Sequence, residues 1–275
     1  MFTALQSFYQ LRTHGLHKFK SKINLNVEVG PFILKTVDTT EELREALSLR
    51  WEVFHTEMLG KKSGRLDMDA YDFDCDHLVI KEKRSGNVIG TYRIRCSLHT
   101  NSFYSANEFN ITTLLQQPGV KIELGRACIA KEFRRGAVIS MLWRGIAEYM
   151  NATDAKILFG CATVPTENPQ EAALLQAYFE NEGRVAEVFQ VSPTTDYSMP
   201  NLRESKAQYQ DSLSETQKEQ AEALMPPLCR AYLKIGAYIG GEPAWDRDYR
   251  CVDFLTILQR EDLNSALWKR FKMGS

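Results

Sequence analysis

Glu123 and Arg126 stand three residues apart in VKIELGRACIA, an apolar run that reads as a central strand. A carboxylate in such a place can take a proton from a reacting group, and a guanidinium can hold an anion. On a regular strand, residues three apart point to opposite faces, so the two act together only if the strand is interrupted. Just downstream, Lys131, Arg134, Arg135, Gly136 and Ala137 lead into the helical pattern of AVISMLWRGIAEYM. Unsatisfied N–H groups at a helix start, with arginines beside them, suit a phosphate. A basic loop that only caps a helix has the same composition.

A third cluster is acidic. DMDAYDFDCDHLVI places Asp67, Asp69, Asp72, Asp74 and Asp76 within ten residues, just before an apolar run. A calcium loop is excluded, because Tyr71 stands where an oxygen ligand is needed, Asp72 replaces the turn glycine and Leu78 the closing glutamate. Cys75, Asp76 and His77 are zinc ligands by type, but adjacent residues rarely converge on one ion, and no second cluster follows at finger spacing. No metal is expected. The aspartates then hold a cationic substrate, pair with arginines, or form a solvated turn. Near the other end, Trp245 and Asp246 in GEPAWDRD either line a pocket or turn the chain into a last strand.

Elements must position these residues. Val29 to Val37 reads as a first strand. Asp38 or Thr39 then caps a helix through Leu43, Ala46, Leu47, Arg50, Val53 and Phe54, with Arg50 on or near its apolar face. HLVIKEKRSGNVIGTYRIRCS reads as a hairpin turning at Arg84–Asn87. A short helix near NEFNITTLLQ, the Glu123 strand, a long helix and a strand over residues 156–164 follow. Next come a helix opened by Pro169 and closed by Gly183, and a strand RVAEVFQV. A helical extension over about residues 200–240, with Ser214 and Gln217 at capping-box spacing, precedes a final strand at about 250–258. The order implies one α/β domain with a mixed sheet over residues 29–272.

Residues 1–28 differ in character. Phe2, Leu5, Phe8, Tyr9, Leu11, Leu16 and Phe19 recur at roughly helical spacing among Arg12, Lys18, Lys20 and Lys22, with no acid before Glu28. That is the composition of a basic amphipathic helix on an anionic membrane surface, or of a helix packed on the main domain. The net charge of −1 gives no global drive toward nucleic acid. Six cysteines without paired spacing read as reduced thiols of a cytoplasmic protein.

The order of elements resembles the GNAT acyltransferase fold, a mixed, mostly antiparallel sheet flanked by helices. Within it the chain is similar to acyl-homoserine-lactone synthases through Arg50 and Phe54, Asp69-Ala-Tyr-Asp72, Arg93 and Glu123-Leu-Gly-Arg126. A closer resemblance is to bacterial ornithine N-acyltransferases, through FDCDHLVI, ELGRACI, RRGAVISMLWRGIAEY, LFGCATV and PPLCRAYLKIGAYIGGEPAWDRDYRCVDFL. It runs from about residue 33 to residue 258. The loop RRGAVI is poorer in glycine than that of acetyl-CoA enzymes, which weakens the case for coenzyme A, and the resemblance implies acyl carrier protein as donor.

The resemblance implies transfer of a long 3-hydroxyacyl chain from acyl carrier protein to the α-amine of ornithine, beside the cytoplasmic membrane, giving lyso-ornithine lipid. Glu123 would be the base, on an interrupted strand, with Arg126 beside it as a catalytic group. Arg50, Asp69, Asp72, Arg93, Trp245 and Asp246 would serve the acceptor. Lys131, Arg134, Arg135, Gly136 and Ala137 would hold the donor phosphopantetheine and its carrier, with no tightly bound cofactor. The rivals are the same reaction on glycine, lysine or glutamine, and a non-catalytic carrier- or membrane-binding protein.

Overall fold

A computed structural model describes residues 19–62, 64–134, 137–209 and 212–263. The expected N-terminal amphipathic helix falls largely on residues 1–18, outside the described residues. In chain order come β1 (Asn26–Val29), β2 (Phe32–Thr36), α1 (Thr40–Arg50), β3 (Asp76–Glu82), β4 (Val88–Cys96), β5 (Phe109–Asn110) and α2 (Thr112–Gln116). There follow β6 (Val120–Ile129), α3 (Val138–Thr153), β7 (Ala155–Val164), α4 (Pro169–Asn181), β8 (Ser192–Pro193), α5 (Leu202–Lys206) and α6 (Glu215–Leu224). Last are α7 (Pro227–Lys234), β9 (Tyr238–Ile239), β10 (Ala244–Asp246) and β11 (Cys251–Gln259). The chain divides into two compact units, the first holding described residues 19–100 and 124–154, the second 101–123 and 155–263.

In the first unit β1, β2, β3 and β4 pair antiparallel in that order. The single strand expected over Val29–Val37 is a hairpin instead, because Gly30 takes φ +56°, a left-handed turn conformation natural to glycine. The apolar face of α3 lies on this sheet. Gly145 makes the approach close, since a Cβ there would stand 2.6 Å from Leu78 Cδ2 and 2.7 Å from Leu34 Cδ1. Thr39 caps α1, accepting from the Glu42 N–H. Beyond Arg50 the helix widens into a π-helix, Trp51–Met58, in which Trp51 stacks on His55 with ring centroids 4.2 Å apart.

In the second unit the start of β6 runs parallel to β7, β11 pairs antiparallel with β7, and β10 lies antiparallel on β11. Phe103, Phe109, Leu114, Phe159, Leu255 and Ile257 are among the residues of an apolar core on one sheet face. The expected strand RVAEVFQV is absent. Glu187–Phe189 form a 3-10 turn, Gln190 has φ +50°, and only Val185 and Val191 make isolated bridges, to Ile239 and Gly241. The period-2 pattern was misleading because Val188 is left outside, 67% exposed. Pro227 opens α7, as suits the first helical turn. Among the described residues no helix is long and apolar enough to cross a membrane.

Candidate active site

The acidic loop of the first unit is an ion-pair frame. Arg50, at the end of α1, donates from Nε to Asp67 Oδ2 at 3.0 Å and forks onto Asp72, Nη1 to Oδ1 at 2.6 Å and Nη2 to Oδ2 at 3.2 Å. Arg93, on β4, donates from Nη1 to both oxygens of Asp69 at 2.7 Å and to Asp72 Oδ1 at 3.1 Å. Arg126 reaches Asp69 Oδ2 from Nη2 at 3.4 Å. The spacing of Asp69 and Asp72 has a local cause. They form a reciprocal capping box on a 3-10 turn, Ala70–Phe73, with the Asp69 side chain accepting from Tyr71 N and Asp72 from Asp69 N.

Arg50 and Asp72 are both 0% exposed, so this is charge taken out of water and matched inside. Burial pushes the Asp72 carboxyl up, but Arg50 and Arg93 outweigh it and hold it well below the usual carboxylate range. Asp67 follows the same balance against Arg50 and Arg126 and ends below its ordinary value. Of the three readings open to these aspartates, the structure builds the pairing with arginines, and Asp69 at 27% is the most exposed member.

The adjacent Cys75, Asp76 and His77 do not converge; Cys75 and His77 come together with Asp72, while Asp76 accepts from Lys22 N, Ile23 N and the Tyr149 hydroxyl. Cys75 Sγ lies 3.4 Å from His77 Nε2, and His77 Nε2 lies 2.9 Å from the Asp72 carbonyl oxygen. A cation there would face Arg50 and Arg93 across Asp72. Burial lowers the His77 pKa to about 4, so the ring is neutral at ordinary pH.

Arg126 interrupts its strand with φ +52°, a left-handed backbone that costs a non-glycine residue on the order of 1–3 kcal/mol. The pairing with Asp69 ties its side chain down. In the second unit, Glu123 is 4% exposed, and each of its oxygens accepts a backbone N–H, Oε2 from Tyr104 at 2.8 Å and Oε1 from Ser105 at 2.6 Å. Those donors come from the 3-10 turn Tyr104–Asn107, which has no side-chain cap of its own.

Glu123 pairs in register with Phe159 on β7, so it shares a sheet face with Cys161, Thr163 and, across β11, Asp253. Ser105 Oγ is 3.5 Å from Cys161 Sγ, which is 3.4 Å from Glu108 Oε2. Asp253 Oδ1 accepts from Thr163 Oγ1 at 2.6 Å. Asp246, opposite Cys251 in the β10–β11 register, completes the row on that face, and Trp245 leaves from the other face. Glu108 and Asp253 escaped the sequence reading. Asp253 had a signal, an acid inside the otherwise apolar CVDFLTIL; Glu108 had none.

Around the expected donor loop, Lys131 lies exposed in the 3-10 turn Lys131–Phe133. Arg134 donates from Nε to the Ile129 carbonyl at 2.9 Å and pairs with Glu57 at 2.7 Å. Ala137 is the residue before α3 and supplies no side-chain cap, which leaves the first N–H groups of the helix without one. Arg135 and Gly136 lie outside the described residues.

Residues 49–144 match the family model of the acetyltransferase (GNAT) domain. The L-ornithine N(alpha)-acyltransferase of Rhizobium meliloti (strain 1021) is 31% identical over 233 residues, covering 79% of this chain and 76% of the relative. That of Agrobacterium fabrum (strain C58) is 28% identical over 245 residues, covering 84% and 81%. A CoA-dependent acyl-homoserine lactone synthase, BjaI, solved with SAM and isopentyl-CoA, is 14% identical with a TM-score of 0.46, over 86% of this chain and 84% of that one. The α/β fold with its mixed, mostly antiparallel sheet agrees with the GNAT domain. From the extent and identity of the Rhizobium match, the chain belongs to the L-ornithine N(alpha)-acyltransferase family and is an acyltransferase.

Proposed function

We propose that this chain moves a long 3-hydroxyacyl group from acyl carrier protein to the α-amine of ornithine, producing lyso-ornithine lipid. The observation that carries the reading is the 31% identity to an L-ornithine N(alpha)-acyltransferase over most of both chains. Amines attack only when neutral, and α-amino groups are partly protonated near neutral pH. In the proposed step the amine nitrogen bonds to the thioester carbonyl carbon and its proton passes to Glu123. The tetrahedral intermediate then expels the phosphopantetheine sulfur, breaking C–S, and the thiolate takes up a proton. The carbonyl oxygen, negative in the intermediate, needs fixed donors, and N–H groups at Gly125–Ala127 beside the strand interruption suit that role.

Arg126 and Asp69 form the outward edge of the frame, which Arg50, Asp72 and Arg93 hold in place; Trp245 and Asp246 serve the acceptor. The donor phosphopantetheine would sit at the start of α3, with Lys131, Arg134, Arg135, Gly136 and Ala137 around it. Acyl carrier protein is acidic, so a basic landing surface is required. The basic amphipathic composition of residues 1–28 fits a product that belongs in a bilayer.

The reading is tested by mass spectrometry after incubating the protein with 3-hydroxyacyl-carrier protein and a pool of free amino acids. N-acylornithine as the dominant product supports it. Another acylated amino acid overturns the acceptor, and no product while the carrier protein still binds favours a non-catalytic role. The donor surface has its own test. Lys131→Glu with Arg134→Glu should raise KM for the acyl carrier protein several-fold at low salt, with the gap closing as salt screens the charges. Unchanged donor kinetics at low ionic strength would remove these residues from the surface.

A further inference from the structure

The row of acids on the β7–β11–β10 face has no role in the proton transfer. Glu108 is 1% exposed, and its Oε1 is buried with no hydrogen-bond partner. The carboxyl is met by the weak thiol donor of Cys161 at Oε2 and by a hydrogen bond with Tyr104. Asp246 and Asp253 are also buried. Asp246 Oδ1 is occupied by the N–H groups of Asp248 and Tyr249, at 2.9 and 3.1 Å. Burial, and after it the negative charge of Asp253, pushes the Glu108 carboxyl well above the usual range. The same surroundings raise the Cys161 thiol, burial first and Glu108 next. Three buried carboxyls facing one another are costly unless a cation joins them. Glu108 lies near enough to Asp253 and Asp246 to feel both charges, and its orphaned Oε1 is the acceptor such a cation would use.

We propose that Glu108, Asp246 and Asp253 form a subsite for the side-chain ammonium of a dibasic amino acid. It assigns the acidic-loop role of holding the substrate cation to a different place in the chain, since Asp69 and Asp72 are already spent on arginines. The subsite adjoins Glu123 through Ser105 and Cys161, all in the second unit and on one sheet face. An acceptor anchored there by its second amine would present its α-amine toward the base. The inference rests on the N-acylation reading for the identity of the acceptor, but binding can be measured without turnover.

The experiment is calorimetric titration of the whole protein with L-ornithine and with L-norvaline, which has the same carbon chain and lacks the second amine. Ornithine should bind more tightly by about ten- to a hundredfold, the range of a charge-assisted hydrogen bond. Glu108→Gln should collapse that ratio, and Asp246→Asn serves as a second variant should the first fail to fold. Equal binding of the two amino acids by the wild-type protein overturns the subsite without any variant. So does an undiminished ratio in a folded variant. A divalent ion retained in native mass spectrometry and lost with Asp246→Asn also overturns it, since Asp246, Cys251 and Asp253 place ligand atoms within 4.8 Å of one another. Selective ornithine binding without its acylation from 3-hydroxyacyl-carrier protein would leave the subsite standing and refute the proposed reaction.

Discussion

Glu123→Gln should cut kcat by about 10²- to 10⁴-fold, the usual contribution of a positioned general base, while KM for the acyl carrier protein stays within a few-fold. The substitution keeps the shape of the side chain, so the argument turns on the two backbone donors it faces. Glu123 accepts from Tyr104 N and Ser105 N, one on each oxygen. A carboxylate has further lone pairs beyond those two, which leaves room for the proton it would take from the amine. An amide has only one oxygen. Its nitrogen must meet one of the two N–H groups as a second donor, at a cost of about 1–3 kcal/mol for the unpaired group. The variant is therefore expected to melt at a lower temperature as well. The two effects separate by assaying below the melting transition. Glu123→Asp is the companion variant, since it keeps both acceptor oxygens but draws them back by one methylene. A folded Glu123→Gln protein with wild-type kcat would mean that the carboxylate only pins the Tyr104–Asn107 turn.

That double duty of Glu123 marks the boundary of what could be read in the chain. Its place on a central strand followed from an apolar run, and so did the long helix after it, because both patterns extend over ten residues or more. Arg50 was conspicuous as a charge on an apolar helix face, and its burial against two aspartates is the physical reason. The partners of Glu123 were not legible. Backbone N–H groups carry no residue signature, and the 3-10 turn that offers them has no cap or period to announce it. Glu108 was hidden for a similar reason. It is a single acid in an irregular segment, brought beside Cys161 only by the fold. Val185–Val191 failed in the opposite sense, with strand alternation present but no neighbouring strand to pair beyond two isolated bridges.

Arg50→Met should be the most destabilising single change in the first unit, by about 3–5 kcal/mol, the range for breaking a buried pair from one side. Methionine fills much of the volume, so the loss is electrical rather than steric. Asp72 would keep Arg93, but its fork to Arg50 would vanish, and Asp67 would lose its Nε donor. Lysine is no rescue, because one ammonium cannot reproduce three N–H donors in a fixed plane. The frame also sets an acid limit. Asp72 and Asp67 have folded pKa values below their unfolded ones, so their contribution is complete above the ordinary carboxylate range and is lost as pH falls through it. His77 adds to the loss at milder acidity. Its folded pKa of about 4 lies under the usual 6.5, so the unfolded chain takes up a proton between those values that the folded one refuses. Asp76 runs the other way, its carboxyl raised by burial despite the hydrogen bond from Tyr149, and it blunts the fall. Urea titrations from pH 7 down to about pH 2 should show the wild-type midpoint declining from about pH 6.5. Asp72→Asn should start lower and fall less steeply below the carboxylate range, having no charge left there to lose. A midpoint for Arg50→Met within about 0.5 kcal/mol of wild type would mean that Arg93 and Arg126 alone neutralise the loop, and that Arg50 is dispensable to the frame.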